Sequence, residues 1–243
     1  MKKKMCVLGV AALMAALLAM SGVAQSAMWV GAQLGGNFPL STNLDINVPG
    51  VATARVTNVD LQPSVIGGAI IGYDFVNSGF GAYAWPDWMK YFSFATDFTY
   101  NRLSVRGDQT VGFTFNNVNF GRHNSPFPNL RLDGYQLTWA FLFRAQYGFM
   151  PDSETPGGRI NPYIGIGPAI LFSGFQGNTA VNVALVVEPG IRWMCFKNVS
   201  VDTAMRYRYA QPSWDSDILN TNFTVKANPL HQLSFLVRAN LHF

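Results

Sequence analysis

From His231 to Phe243 the chain alternates between two kinds of side chain. The odd positions are His231, Leu233, Phe235, Val237, Ala239, Leu241 and Phe243. The even positions are Gln232, Ser234, Leu236, Arg238, Asn240 and His242. Successive side chains of a strand point to opposite faces, so this segment has one nearly apolar face and one mostly polar face centred on Arg238. A strand needs roughly 9–11 residues to cross a bilayer at a tilt, and this one is long enough. Such a strand fits a lipid wall outside and a wet or ionic interior inside.

Seven more segments share the period of two. They are Met28–Phe38, Val65–Phe75, Lys90–Arg102, Tyr135–Phe149, Ile160–Phe172, Asn182–Trp193 and Val199–Tyr209. In Tyr135–Phe149, Leu137, Trp139, Phe141, Phe143 and Tyr147 alternate with Gln136, Thr138, Arg144 and Gln146. The predicted fold class is all-β: a transmembrane antiparallel up-and-down barrel of eight strands. Only a closed sheet satisfies every backbone group in lipid. The stretches Val51–Val59 and Val111–Phe120 are also β-prone; they either lengthen strands beyond the membrane or add a hairpin that makes ten.

The first residues read as a secretory leader. Lys2, Lys3 and Lys4 precede an apolar run from Cys6 to Met20, and small residues follow. The expected cut is after Ala24 or Ser26, giving a signal peptide over 1–26 and a barrel domain over 27–243. The leader takes three of the 17 basic residues, leaving 14 against 13 acidic. The net charge of +4 is thus largely a property of the leader and is no argument for a nucleic-acid partner, which needs a basic patch. Cys6 leaves with it, so Cys195 has no internal disulfide partner.

An even strand count puts both ends on one side, expected to be periplasmic, in the outer membrane of a Gram-negative bacterium. The long connections Pro39–Ser64, Val105–Leu132, Ser173–Val181 and Ala210–Leu230 are then outer loops. The turns near Asn77–Asp87, Asp152–Arg159 and Phe196–Asn198 face the periplasm. Aromatic girdles are expected at both rims: Trp88, Tyr91, Phe149, Trp193, Phe196 and Phe243 below, and Phe38, Tyr100, Tyr135, Phe172 and Tyr209 above.

Counting upward from each strand's periplasmic end puts Asp97, Arg144, Glu188, Arg206 and Arg238 at one height, facing inward by parity. A second layer nearer the periplasm holds Arg192, Asp202 and His242. An eight-stranded barrel is narrow enough for side chains to fill it, and charges inside must be paired or hydrated. The charges therefore form a structural network, or a gate whose partners exchange to open a narrow water path.

Four stretches and the ending resemble the OmpA/OmpX-type family of eight-stranded outer-membrane barrels. They are Asn161-Pro-Tyr-Ile-Gly-Ile-Gly, Glu188-Pro-Gly-Ile-Arg-Trp, Val199-Ser-Val-Asp, Arg206-Tyr-Arg-Tyr, and the closing Phe243. The resemblance implies that Phe235, Val237, Leu241 and Phe243 form a signal read by the barrel-assembly machinery. It also implies periplasmic chaperones on the way, outer-membrane lipid and lipopolysaccharide around the barrel, and a monomer whose loops are free for a surface ligand.

Catalysis, cofactors and metals are not expected. The likeness of His231 and Ser234 to a lipid A deacylase pair fails on parity, since an odd spacing sends them to opposite faces and Glu188 points inward. Asp108, His123, Asp215, Asp217 and His231 are the acids and histidines a rim protease would use, but loop residues of these types are ordinarily solvated. Gly165-Ile-Gly167 lies mid-strand and lacks a third glycine, so it makes room for a neighbour and is not a phosphate loop. No His/Cys cluster has metal-site spacing. The expected role is structural or interactive at the envelope; the alternatives are a narrow channel for ions or small solutes, and a barrel enzyme acting on lipid A or peptides.

Overall fold

The computed structural model describes residues 28–48, 52–75, 85–105, 110–116, 118–124, 133–175, 178–218 and 221–243. The leader, its cleavage site, Asp108 and most of the Asn77–Asp87 turn lie outside them. The strands are β1 Met28–Pro39, β2 Thr42–Val48, β3 Ala52–Val59, β4 Ser64–Asp74, β5 Phe92–Ser104, β6 Thr110–Phe115 and β7 Val118–Asn124. They continue as β8 Asp133–Gln146, β9 Ile160–Phe175, β10 Asn178–Phe196, β11 Val199–Ala210, β12 Ser213–Ile218, β13 Thr221–Ala227 and β14 Leu230–His242.

Eight of them close an antiparallel barrel in the order β1-β14-β11-β10-β9-β8-β5-β4. The seam joins first to last, from Trp29 opposite His242 to Pro39 opposite Gln232. The Phe243 N–H donates to the Met28 carbonyl at 2.9 Å. Every barrel strand therefore has a neighbour on both sides, which is what a bilayer demands of a β protein.

The distribution of side chains is inverted relative to a water-soluble protein. Val183 is 74% exposed and Val65 70%, while Asp97, Glu188 and Arg206 are fully buried. Leu34, Ile164, Ile191, Phe235 and Val237 share the exposed wall. Aromatics mark both ends of it: Trp88, Phe149, Trp193 and Phe196 near the short turns, Phe38, Tyr100 and Tyr135 at the other end. Val237 sits mid-strand, opposite Leu34 on one side and Thr203 on the other. Val237→Arg is expected to cost about 2–4 kcal/mol of folding free energy in a bilayer, the price of a basic side chain at the midplane of a barrel's lipid face. Urea titration of the protein folded into phosphatidylcholine vesicles measures it.

Two interruptions of the barrel ladder fall at prolines, which lack an N–H. The β8–β9 register skips from Ala140↔Ala169 to Phe143↔Ile166, spanning Pro168. The β10–β11 register skips from Val187↔Tyr207 to Gly190↔Ala204, spanning Pro189. Glycines on the inner face make room for rings. A Cβ built at Gly72 would lie 2.1 Å from the Trp29 ring, and one at Gly190 would lie 2.5 Å from that of Tyr163.

Three expectations need correction. The β-prone loop stretches neither lengthen barrel strands nor raise the count to ten. The first supplies β3 and the second β6 and the start of β7; with β2, which precedes the first stretch, and β12–β13 they build a separate six-stranded sheet in the order β12-β13-β2-β3-β6-β7. The connection Ala210–Leu230, expected to be a loop, supplies two of its strands. Ser173–Phe175 and Asn178–Val181, also expected to be loop, are ladder too: β9 and β10 stay paired to Phe175 opposite Asn178, because small and β-branched residues continue the pattern. Two barrel boundaries also move. A short 3-10 turn over Asp87–Tyr91 precedes β5, and β8 ends at Gln146, with Phe149 touching Ile160 only through an isolated bridge.

Candidate functional site in the barrel lumen

Inner-face residues of β5, β8, β10, β11 and β14 meet on the barrel axis. Glu188 is the hub. Arg238 donates to it through Nη1 at 2.7 Å and Nη2 at 2.6 Å. Arg206 donates through Nε at 2.7 Å and also through Nη2, and Arg144 through Nη2 at 3.1 Å. Arg206 forks to Asp97 as well, with Nη1 at 3.3 Å and Nη2 closing the pair. All five side chains are shut off from solvent. The Tyr163 hydroxyl accepts from Arg238 at 2.8 Å and faces Glu188 at 3.5 Å. Gln33 accepts the Arg238 Nε at 2.8 Å. Arginine suits this position because its planar fork gives five donors to carboxylates in fixed directions.

A second tier lies toward the short-turn end. Asp202 accepts from Asn240 Nδ2 at 2.8 Å and Ser200 Oγ at 3.3 Å, and Arg192 Nε lies 3.4 Å from it. His242 joins this tier through Ser200, with Nε2 2.9 Å from the hydroxyl. Arg144 Nη1, 4.0 Å from Asp202, links the two tiers. Arg192 also donates to Asp74 at 3.1 Å. Trp29 lies across this floor, its ring 4.4 Å from the Arg192 guanidinium and 5.1 Å from that of Arg144. Its Nε1 donates to Asp74 at 3.2 Å. Aromatic faces attract such cations.

Several members of the assembly are not among the sequence candidates: the neutral Gln33, Tyr163, Ser200 and Asn240, and also Asp74, Trp29 and Arg208. Parity turns each inward, and that was the available signal. Arg208 stands two residues beyond Arg206 on β11, a rung further from the short turns. The rest of the lumen wall mixes apolar side chains, among them Ile66, Ile70, Leu142, Leu171, Val186 and Leu236, with neutral polar ones such as Asn101, Gln136, Thr138 and Gln232, all buried there.

The deacylase-like set of His231, Ser234 and Glu188 does not converge. His231 is on the outer wall with Nδ1 against the Tyr207 hydroxyl, whereas Ser234 is in the lumen, donating to Asn37 at 2.8 Å. Glu188 is held by three arginines. His123 lies on β7, and Asp215 and Asp217 on β12; their side chains, like Asp108, are outside the described residues. Among the described residues no group of three His, Cys, Asp or Glu side chains could hold a metal. Phe235, Val237, Leu241 and Phe243 all lie on the outward face of the closing seam, where Phe235 meets Phe38 edge-on at 6.0 Å.

A closed eight-strand antiparallel barrel with an apolar outside and an ionic inside defines an outer-membrane-type β-barrel. Among solved structures, the outer membrane protein OprG from Pseudomonas aeruginosa superposes with a TM-score of 0.53 at 13% identity, covering 90% of this chain and 97% of that one. Neisserial surface protein A gives 0.42 at 14%, covering 89% and 97%. Ail of Yersinia pestis gives 0.40 at 10%, covering 89% and 99%. The likeness to OprG establishes the fold and nothing finer. No family model matches the chain, and no curated protein matches it.

Proposed function

We infer that this is an outer-membrane protein of a Gram-negative bacterium, a non-catalytic barrel that serves as a rigid post for the six-stranded sheet. Its role is envelope integrity or surface interaction. The termini and short turns face the periplasm and the sheet faces outward; lipid and lipopolysaccharide surround the wall. The chain reaches that place by way of periplasmic chaperones and the barrel-assembly machinery, which reads Phe235, Val237, Leu241 and Phe243.

The observation that carries this reading is the occluded lumen. Glu188, Asp97 and three arginines fill the cross-section with fully buried side chains, and Trp29 lies over the floor. A pore needs a hydrated path, and paired ions this dry do not supply one. Purified protein in a planar lipid bilayer is expected to show no steady opening. A sustained, ohmic single-channel conductance would replace the structural reading with the channel.

A further inference from the structure

The lumen carries more positive charge than it pairs. Five arginines, Arg144, Arg192, Arg206, Arg208 and Arg238, line it or its floor, against four carboxylates, Asp74, Asp97, Glu188 and Asp202. Each of these five but Arg208 forms a salt bridge among the described residues. Arg208 is 1% exposed and bonds only to neutral groups among the described residues. Its Nε donates to Gln232 Oε1 at 2.6 Å, its Nη2 to Gln136 Oε1 at 2.9 Å and to Asn101 Oδ1 at 3.3 Å, and its Nη1 to Thr138 Oγ1. An ion taken out of water without a counter-charge is strongly unfavourable.

The neutral groups carry a second imbalance of the same sign. Arginine only donates, so Gln136 and Gln232 must turn their oxygens toward it and their NH2 groups away. Both Nε2 atoms are buried without a hydrogen-bond partner, as is the hydroxyl of Thr99, which pairs across the ladder with Thr138. One Nη1 hydrogen of Arg208 is also left over, since four of its five are used. Uncompensated charge and spare donors thus converge around one side chain. Leu103 and Ala227 form an apolar layer beyond it, where the barrel meets the sheet.

The geometry points to a binding site for a small monovalent anion of the halide class at Arg208, held by the guanidinium with the Gln136 and Gln232 amides. The site is independent of whether the barrel conducts, since it concerns occupancy and not passage. Water could satisfy the donors but not the charge.

The test uses the full barrel folded in detergent micelles, with heat unfolding followed at constant ionic strength in chloride, bromide or gluconate. Chloride and bromide are expected to raise the unfolding midpoint by several degrees, saturably, over gluconate, which is too large for a buried site. Gln232→Glu places a carboxylate against Arg208 Nε. It is expected to raise the midpoint in gluconate and abolish the halide increment. Arg208→Gln, if it folds, is expected to lose the increment too; if it does not, Gln232→Glu decides. Equal wild-type midpoints in chloride and gluconate, or a full halide increment retained in either variant, would overturn the proposal and leave water as the filling.

Discussion

Glu188→Ala is expected to be the most damaging substitution in the barrel. Truncation leaves Arg144, Arg206 and Arg238 buried with Asp97 as the one carboxylate of the upper tier. Removing one partner of a buried ion pair costs about 3–5 kcal/mol because the other charge is left uncompensated. Here Arg238 loses its carboxylate partner outright, while Arg206 falls back on Asp97 and Arg144 on Asp202 at 4.0 Å, so the loss reaches that range. Urea unfolding from lipid vesicles reads it directly. Glu188→Gln keeps the volume and removes the charge, so most of the loss should persist if electrostatics dominates. An unchanged unfolding midpoint together with unchanged conductance for Glu188→Ala would mean the network does not hold the barrel together.

Trp29→Ala is expected to be the second most costly change, at about 3–5 kcal/mol for a buried tryptophan. The indole is fully buried, stacks on two guanidiniums and donates to Asp74. The backbone makes room for it at Gly72, where a methyl would strike the ring. Denaturant titration gives the free-energy loss, and bilayer recording on the same variant asks a separate question. Stability should fall while the upper tier still blocks the lumen, so conductance should stay absent. A barrel as stable as the wild type would show that the floor is dispensable.

The barrel was legible because the period of a strand is two. Once alternation is seen, parity alone sends Arg238 inward and Val237 outward, and no propensity can override it without flipping the whole strand. Height along the axis was less secure. Parity turns Asp74 and Trp29 inward, but nothing local in the sequence marks Asp74 as the partner of Arg192 or an indole as the lid over two cations. Arg208 was missed for a chemical reason. It has no acidic partner, so a search for complementary charges passes it by.

The second sheet was illegible for a different reason. Its pairings are remote in sequence, as where Thr224 meets Asn47 or Ala54 meets Phe115. Alternation predicts a strand but not its neighbour. A β-prone stretch in a loop is therefore ambiguous between lengthening its own hairpin and joining another's. Tertiary pairing across three loops resolved that ambiguity.

That pairing has an immunological consequence. In the proposed orientation the surface displayed outside the cell is woven from three separate segments, with β13 next to β2 and β3 next to β6. Its epitopes are discontinuous. Synthetic peptides copying any one segment would lack the cross-strand neighbours that shape it, and antibodies raised on such peptides would recognise the denatured chain better than the living cell. A change in one segment would also alter the surroundings of the strand beside it.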